Sequence, residues 1–537
     1  MAVGLAGCGG SSDGAAKVAR STTTGGSSTT GSTAAGSTTL GSTASTTTTT
    51  TTAAAGPPSD AAWAALAKAV SGGVVRAPDR GYDTDRLLFN PSFDRIHPSG
   101  IAHCAKPEEV AACLAFAQEH QLPFSVRGGG HSFGGYSTSA GLVIDQAPMS
   151  QVVAHGDGTA TIGAGARLID VYAGLAASGV MIPAGSCPTV GIAGLTLGGG
   201  VGVVSRKYGL TIDSLRGATV VLADGRVVTC DERHEPDLFW ALRGGGGGNF
   251  GVVTSFDFAT HPAPDVTVGG MHWPWSAAAD VLSAWLDWAP HAPDELWSNC
   301  LALTQAQRGP GIEPTVRVGA AYLGSTSGLH GLFDDLVAKV GGAPSSRTGS
   351  TKGWLAAMQY EGGCSDLSVG ECRLPSQGPA GRLQREGSVA RAEYFSTKPS
   401  AAGIQVLVDA VAARQADPGL SGVAGVAFDA YGGAIGRVAR DATAFVHRNP
   451  LCGVLLNGTF QVGEPTSAAD ANRRWVDDLG RKLAPYVDGE AYQNYIDPSR
   501  ADWARAYYGS NLARLQAVKR HYDPADAFRF AQSIPLR

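Results

Sequence analysis

No apolar stretch in this 537-residue chain approaches the length needed to cross a bilayer, about 20 residues. No run of basic residues is long enough to mark a nucleic-acid surface, and the formal net charge is −5. The chain therefore lacks the positive field that a phosphate backbone requires, and no nucleic-acid partner is expected. None of its nine cysteines stands at CxxC spacing and the histidines are scattered, so no metal site is expected. No internal repeat is present, which sets aside solenoids and propellers.

What is there begins with a segment poorly suited to folding. From Ser21 to Thr52 the chain is almost entirely Ser, Thr, Gly and Ala, ending in an unbroken Thr run. Such a stretch has too little apolar surface to offset its chain entropy, so residues 1–58 are expected to form a disordered tether. Leu5-Ala6-Gly7-Cys8 either is a bacterial lipobox, whose Cys is lipidated after signal cleavage, or matches one by chance. Only four residues precede Leu5, without a basic n-region or a full apolar h-region. On the first reading Cys8 attaches the protein to a membrane, and the chain is extracytoplasmic, secreted or lipid-anchored in a bacterium. Cys364 and Cys372, eight apart in a loop, could close a local disulfide in an exported protein. Cys104, Cys113, Cys230, Cys300 and Cys452 lie among apolar neighbours and read as small core residues.

The length suggests two domains. After Gly56-Pro57-Pro58 the composition changes, and residues 60–70 read as a helix with Ala, Trp and Leu on one face. A strand at 101–104, a helix at 107–119 and a strand at 123–126 form a strand–helix–strand unit, the mark of an α/β layer. Further strands are expected at 142–144, 152–153, 160–162 and 218–222. From Trp273 to about Pro485 the texture shifts to Trp-bearing helical segments and longer loops, a candidate second domain. Trp273, Trp275 and Trp285 are either stacking surfaces for a sugar or core residues.

Two segments carry the chemistry. Arg127-Gly128-Gly129-Gly130-His131-Ser132-Phe133-Gly134-Gly135 follows a strand. Consecutive glycines let backbone N–H groups approach an anion such as a diphosphate, because no Cβ stands in the way. The glycine spacing is not that of a dinucleotide fingerprint. Pro183-Ala184-Gly185-Ser186-Cys187-Pro188 places a Cys between small residues and a Pro, where its thiolate could be a nucleophile or the residue simply structural. Further glycine clusters fall at 198–202 and 244–248.

Together these segments resemble the berberine-bridge-enzyme-like branch of the vanillyl-alcohol-oxidase flavoprotein superfamily. The matching runs are RGGGHSFGG from Arg127, GSCPTVGIAGLTLGGGVG from Gly185, SRKYGLTID from Ser205 and DLFWALRGGGGGNFGVV from Asp237. YQNYID from Tyr492 and NLARLQAVKRHYDPADAFRFAQSIP from Asn511 match at the far end. The resemblance covers essentially everything from about Asp60 onward. It implies an α+β fold: a PCMH-type FAD-binding domain in two parts, residues 59–264 and a returning segment 485–537. Between them, 265–484 would form a substrate domain with an antiparallel sheet flanked by helices.

For the cofactor it implies FAD attached twice, through His131 to the flavin 8α-methyl carbon and through Cys187 to flavin C6. In the first glycine loop Arg127, Gly128, Gly129, Gly130 and Ser132 would hold the FAD. In the second segment Gly185, Thr189, Val190, Gly191 and Gly194 would do so, followed by Gly199 and Gly200. Val252 and Asn494 complete the implied set. Tyr495, the second Tyr of Tyr-x-Asn-Tyr, would be the general base, paired with Asp429. A phenol with an unperturbed pKa near 10 needs nearby positive charge or donors to serve at neutral pH. Val190, three after the Cys, would admit oxygen to the flavin. Two departures bear on the substrate: Phe133 stands where many relatives have Tyr, and 451–457 is mostly apolar.

The reading that follows is an FAD-dependent oxidase taking hydride from a CH–OH group of a small molecule, a sugar or oligosaccharide first. O2 would be the acceptor and H2O2 the product. A dehydrogenase, a secondary-metabolite tailoring oxidase and a surface lipoprotein using the fold only to bind are the alternatives. Intact His131, Cys187 and Tyr495 argue against the last.

Overall fold

The computed structural model describes residues 56–537 apart from Ser421. The expected tether is therefore outside the described residues up to position 55, as is the lipobox at Cys8. The first helix, Asp60–Ala69, is capped by the Ser59 side chain and buries Trp63 and Leu66. It packs on a four-stranded sheet in the order Val74–Val75, Gly100–His103, Leu142–Asp145, Phe124–Arg127. The last three strands are parallel, joined through the helix Pro107–Glu119, so the expected strand–helix–strand unit is present. Pro107 starts that helix at its first position, where a missing N–H costs nothing. The chain leaves Phe124–Arg127 directly into the Gly128–His131 loop, which places the loop at the C-terminal end of a parallel strand.

A second, five-stranded antiparallel sheet follows, ordered Val152–Ala154, Thr159–Gly163, Val252–Ala259, Leu215–Val221, Val227–Asp231. The stretch Pro188–Ile192 runs between these two layers. It is tied to 166–169 by backbone bonds from Leu168 N to Val190 O, Ile169 N to Pro188 O and Ile192 N to Ala166 O.

The third sheet has seven antiparallel strands. Their order is Ser346–Lys352, Val266–Trp273, Thr315–Tyr322, Leu296–Leu303, Ala424–Ala430, Cys452–Phe460, Gly387–Phe395. One face is covered by the helices Ala278–Trp288, Thr326–Val340, Ala401–Ala416 and Thr466–Leu483 around an apolar core. Alternation along Leu296–Leu303 shows how the faces divide. Leu296 and Cys300 enter that core, whereas Leu301 and Leu303 face a smaller cluster on which Phe133 and Tyr495 pack.

The C-terminal residues return to the first two layers. Ile534 N donates to Asn249 Oδ1 at 2.9 Å, and the buried Lys519 ammonium donates to Asn249 O and Phe528 O while paired with Asp523. A buried cation with three such partners recovers the cost of its desolvation, and its removal would free the chain end. Cys364 and Cys372 form a disulfide, and the other five cysteines named above are buried thiols.

Candidate functional site

A cleft with about 410 Å³ of open volume lies where the three sheets described above meet. The glycine loop forms one wall. Gly129 and Gly191 touch backbone to backbone: a Cβ on Gly129 would sit 2.1 Å from Gly191 N, and one on Gly191 2.3 Å from Gly129 N. Only glycine allows this approach, and it brings the His131 and Cys187 loops together. Gly129→Ala is expected to destabilise the fold by at least the 1–3 kcal/mol typical of overpacking, about that or more, since backbone cannot step aside. Thermal denaturation, with FAD content measured alongside, checks it.

His131 is stacked on Phe89, with ring centroids 4.2 Å apart. Its Nε2 lies 2.9 Å from the Thr189 hydroxyl, which in turn lies 3.6 Å from Cys187 Sγ. Desolvation in the cleft and the charge of Arg167 outweigh a hydrogen bond to the Thr189 main chain and lower the imidazole pKa to about 3. Arg167 is held under the loop by donating to Gly128 O and Gly165 O. Cys187 is 7% exposed and lines the cleft, as do Gly185, Val190, Gly191 and Gly194.

The Tyr-x-Asn-Tyr segment is seated by the second glycine cluster. Tyr492 Oη accepts from Gly200 N at 3.0 Å and from Asn494 Nδ2 at 2.8 Å, and Asn494 also donates to Leu195 O. Tyr495 then faces the cleft, edge-on to both Phe133 and Tyr492, at centroid distances of 5.5 and 5.1 Å. Gly199 and Gly200 do not line the cleft; they receive this segment, Gly199 against Phe445 and Gly200 against Thr211.

The seven-stranded sheet is the roof. In register across it run Thr348, Gly270, Gly319, Asn299, Asp429 and Gly453. Two glycines of this row, Gly270 and Gly319, line the cleft and leave a trench in which the polar side chains of Thr348, Asn299 and Asp429 stand, whereas Gly453 is covered by Tyr431 and Tyr394. Asn299 is fixed there by accepting from Gly319 N at 3.0 Å. Asp429 is raised to about 6 by burial. At the end of the helix Trp354–Glu361, Glu361 is 8% exposed, lines the same cleft and makes no hydrogen bond among the described residues. Burial, then the Asp429 charge, raise it to about 8. Arg317, Trp297 and His272 complete the roof.

The structure therefore brings His131, Ser132, Cys187, Val190, Tyr495 and Asp429 to one cleft, with Gly128, Gly129, Gly130, Val252 and Asn494 beside them. Arg127 lies apart from it: its guanidinium pairs with buried Asp145 and donates to Asp85 O behind the loop. Thr189 also lies behind the cleft wall, bridging the two candidate attachment residues. No cation adjoins Tyr495 among the causes acting on its phenol, and the carboxylate expected to pair with it, Asp429, raises its pKa instead of lowering it. Burial and the Asp429 and Tyr492 neighbours push the phenol well above 10. Trp273 and Trp285 are core residues at 4% and 0% exposure, Trp275 packs at the edge of that core, and Trp297 is the tryptophan facing the cleft. Glu361, Arg167 and Phe89 carry no sequence signature and emerge only from the fold.

The fold and the cleft define a flavin-binding oxidoreductase architecture, and comparison with known proteins agrees. Residues 98–231 match the FAD binding domain family and residues 491–535 the berberine and berberine-like family. The chain is 34% identical to the FAD-linked oxidoreductase YgaK of Bacillus subtilis over 87% of this chain and 97% of that one. It is 30% identical to the glucooligosaccharide oxidase of Sarocladium strictum, over 84% and 90% of the two chains. The structure of BBE-like 1 from Physcomitrella patens superposes with a TM-score of 0.78 at 29% identity, covering 88% of this chain and 99% of that one. The chain belongs to the berberine-bridge-enzyme-like family of FAD-linked oxidoreductases.

The residues present fit FAD. Besides the glycine wall, the cleft is lined by Ser125 Oγ, Tyr136 Oη, Thr138 Oγ1, Gln493 Oε1 and Gln532 Oε1, all buried with no protein partner among the described residues. Orphaned polar atoms beside an apolar, glycine-walled slot suit a long ligand that is polar at one part and flat at another.

Proposed function

We propose that this protein is an oxidase that takes hydride from a CH–OH group of a sugar or oligosaccharide onto FAD held covalently by His131 and Cys187. O2 is its electron acceptor. One observation carries this reading: both attachment residues, Val190, Tyr495 and Asp429 line one cleft under a polar trench. The glycine row and the standing Asn299, Asp429, Glu361 and Arg317 side chains suit a substrate with many hydroxyls. The similarity to a glucooligosaccharide oxidase supports the same class. The disulfide supports an extracytoplasmic location.

When bound, FAD supplies the hydride acceptor and the route of two electrons to O2. The protein's part is proton management and positioning. At neutral pH Asp429 is ionised and Tyr495 is a neutral phenol. The substrate hydroxyl proton passes to the Tyr495 oxygen as the phenol proton passes to Asp429, so that hydride departs from an alkoxide-like carbon centre. Glu361, still protonated, donates a hydrogen bond to a neighbouring substrate oxygen. Phe133 and Phe89 keep water from the reacting face.

The experiment has two arms. Acid-precipitated protein is expected to stay yellow, and its proteolytic digest to contain flavin on the His131 and Cys187 peptides. His131→Ala is expected to leave attachment at Cys187 alone, and Cys187→Ala at His131 alone. In the second arm, cellobiose, chitobiose and xylobiose are screened for peroxide release; no peroxide from any sugar would reject the substrate class. A flavin fully released on denaturation would reject covalent attachment.

A further inference from the structure

Thr189 stands between the two residues that would carry the flavin, and nothing in the reaction above uses it. Its hydroxyl meets His131 Nε2 at 2.9 Å and Cys187 Sγ at 3.6 Å, and the residue is fully buried. Its position is fixed from outside the cleft: Gln377 donates to Thr189 O at 3.1 Å, and the adjoining Pro188 and Val190 carbonyls accept from Ile169 and Leu168. A hydroxyl held at this place can accept the Nε2–H of the facing imidazole, the arrangement in which Nδ1 keeps its lone pair.

We propose that Thr189 is the positioning residue for covalent attachment of the flavin: it accepts a hydrogen bond from His131 Nε2–H and leaves Nδ1 as the nucleophile. This rests on the covalent attachment proposed above and adds to it the residue that makes His131 reactive. In the bond-forming step the Nδ1 lone pair joins the methyl carbon of the flavin ring. One hydrogen leaves that methyl group and one leaves the imidazole. The two electrons that go with them pass through the ring to O2, which departs as H2O2. Atoms and electrons then balance without any further oxidant.

The environment of the ring agrees with this assignment. An imidazolium has no lone pair to attack with, and burial with the Arg167 charge keeps His131 neutral down to about pH 3. Protonation therefore does not limit attachment under ordinary conditions. What remains to be fixed is the tautomer and the ring angle. Phe89 stacking sets the plane, and the Thr189 hydroxyl sets the rotation within it.

The test uses full-length protein with Thr189→Val, which keeps the shape and removes the hydroxyl, and Thr189→Ser, which restores it. Flavin-bearing His131 and Cys187 peptides are quantified by mass spectrometry, and total FAD by absorbance. We expect at least a tenfold loss of the His131 adduct in Thr189→Val, near-complete recovery in Thr189→Ser, and FAD retained in both through Cys187 or without a bond. Equal His131 adduct in wild type and Thr189→Val would overturn the role of Thr189 while leaving covalent attachment standing. Absence of the adduct from the wild type would overturn both. If the valine variant does not accumulate, Thr189→Ala supplies the same comparison, and a His131 adduct at wild-type level there rejects the proposal.

Discussion

Tyr495→Phe is expected to slow flavin reduction by about 10²- to 10⁴-fold, the worth of a positioned proton acceptor, while the flavin spectrum and its attachment stay as in wild type. Tyr495 packs edge-on to Phe133 and Tyr492, and a phenylalanine keeps both contacts. Its phenol cannot serve as a base alone, because burial and the Asp429 charge hold its pKa well above 10. The acceptor in the pair is Asp429, with a pKa of about 6. Reduction in the wild type should therefore rise with pH through about 6, as the carboxylate forms, and level off above it. Asp429→Asn should lose rate by a similar factor and lose that acid limb with it. The double variant should be little slower than either single one, since the two groups form one relay. Reoxidation by O2 should be unchanged in all three, because Val190, not this pair, borders the route assigned to oxygen. Stopped-flow traces of the two half-reactions resolve these outcomes. Wild-type reduction rates in Tyr495→Phe with a competent sugar would place the base elsewhere.

The parts of this arrangement that were legible in the sequence share a physical cause. The helix Pro107–Glu119 and its flanking strands could be read because Pro at the first turn and apolar runs bounded by turn residues leave few alternatives. The glycine loops were legible for a related reason. Where two backbones meet at the distance of Gly129 and Gly191, no other residue fits, so the requirement is written in the residue type.

The roof was not legible in the same way. Ser346–Lys352 contains no apolar side chain, since it is an edge strand half in solvent, and period-two alternation is therefore missing. Leu296–Leu303 is buried on both faces, one by helices and one by the cleft, so its pattern is nearly continuous. Its strands were expected only through the family resemblance. Glu361 shows the limit most clearly. It ends a short helix after seven residues with no motif around it, and only the fold sets it beside Asp429. Likewise the sequence named Tyr495 as the base with Asp429 beside it, but not which of the two would hold the proton. Burial raises the phenol well above 10 and leaves the carboxyl near 6, which turns a single base into a relay.

Glu361→Gln is expected to stabilise the protein at alkaline pH and to weaken its pH response in substrate binding. A carboxyl buried without a hydrogen-bond partner, at the C-terminal end of a helix and beside a second carboxyl, is favourable only while it is neutral. In the unfolded chain it ionises near 4.5, and in the fold near 8. Below about 4.5 it is neutral in both states and adds no pH dependence, so the variant and wild type should respond to pH alike. Between 4.5 and 8 the unfolded wild type gains a charge that the folded protein cannot accept, so its stability falls as pH rises. Above 8 the whole penalty is present, on the order of 5 kcal/mol at about 1.4 kcal/mol for each tenfold in the equilibrium. Glutamine does not ionise, so denaturant melts at pH 4.5 and pH 9 should differ by about that much more for wild type than for Glu361→Gln. The same ionisation should remove the donor that holds a substrate oxygen, raising the wild-type KM for an oxidised sugar above pH 8 with little effect on kcat. Glutamine keeps an N–H donor, so its KM should stay flat with pH, whereas Glu361→Leu should bind poorly throughout. A wild-type stability curve parallel to that of Glu361→Gln from pH 4.5 to 9 would show that this carboxyl does not stay protonated in the fold.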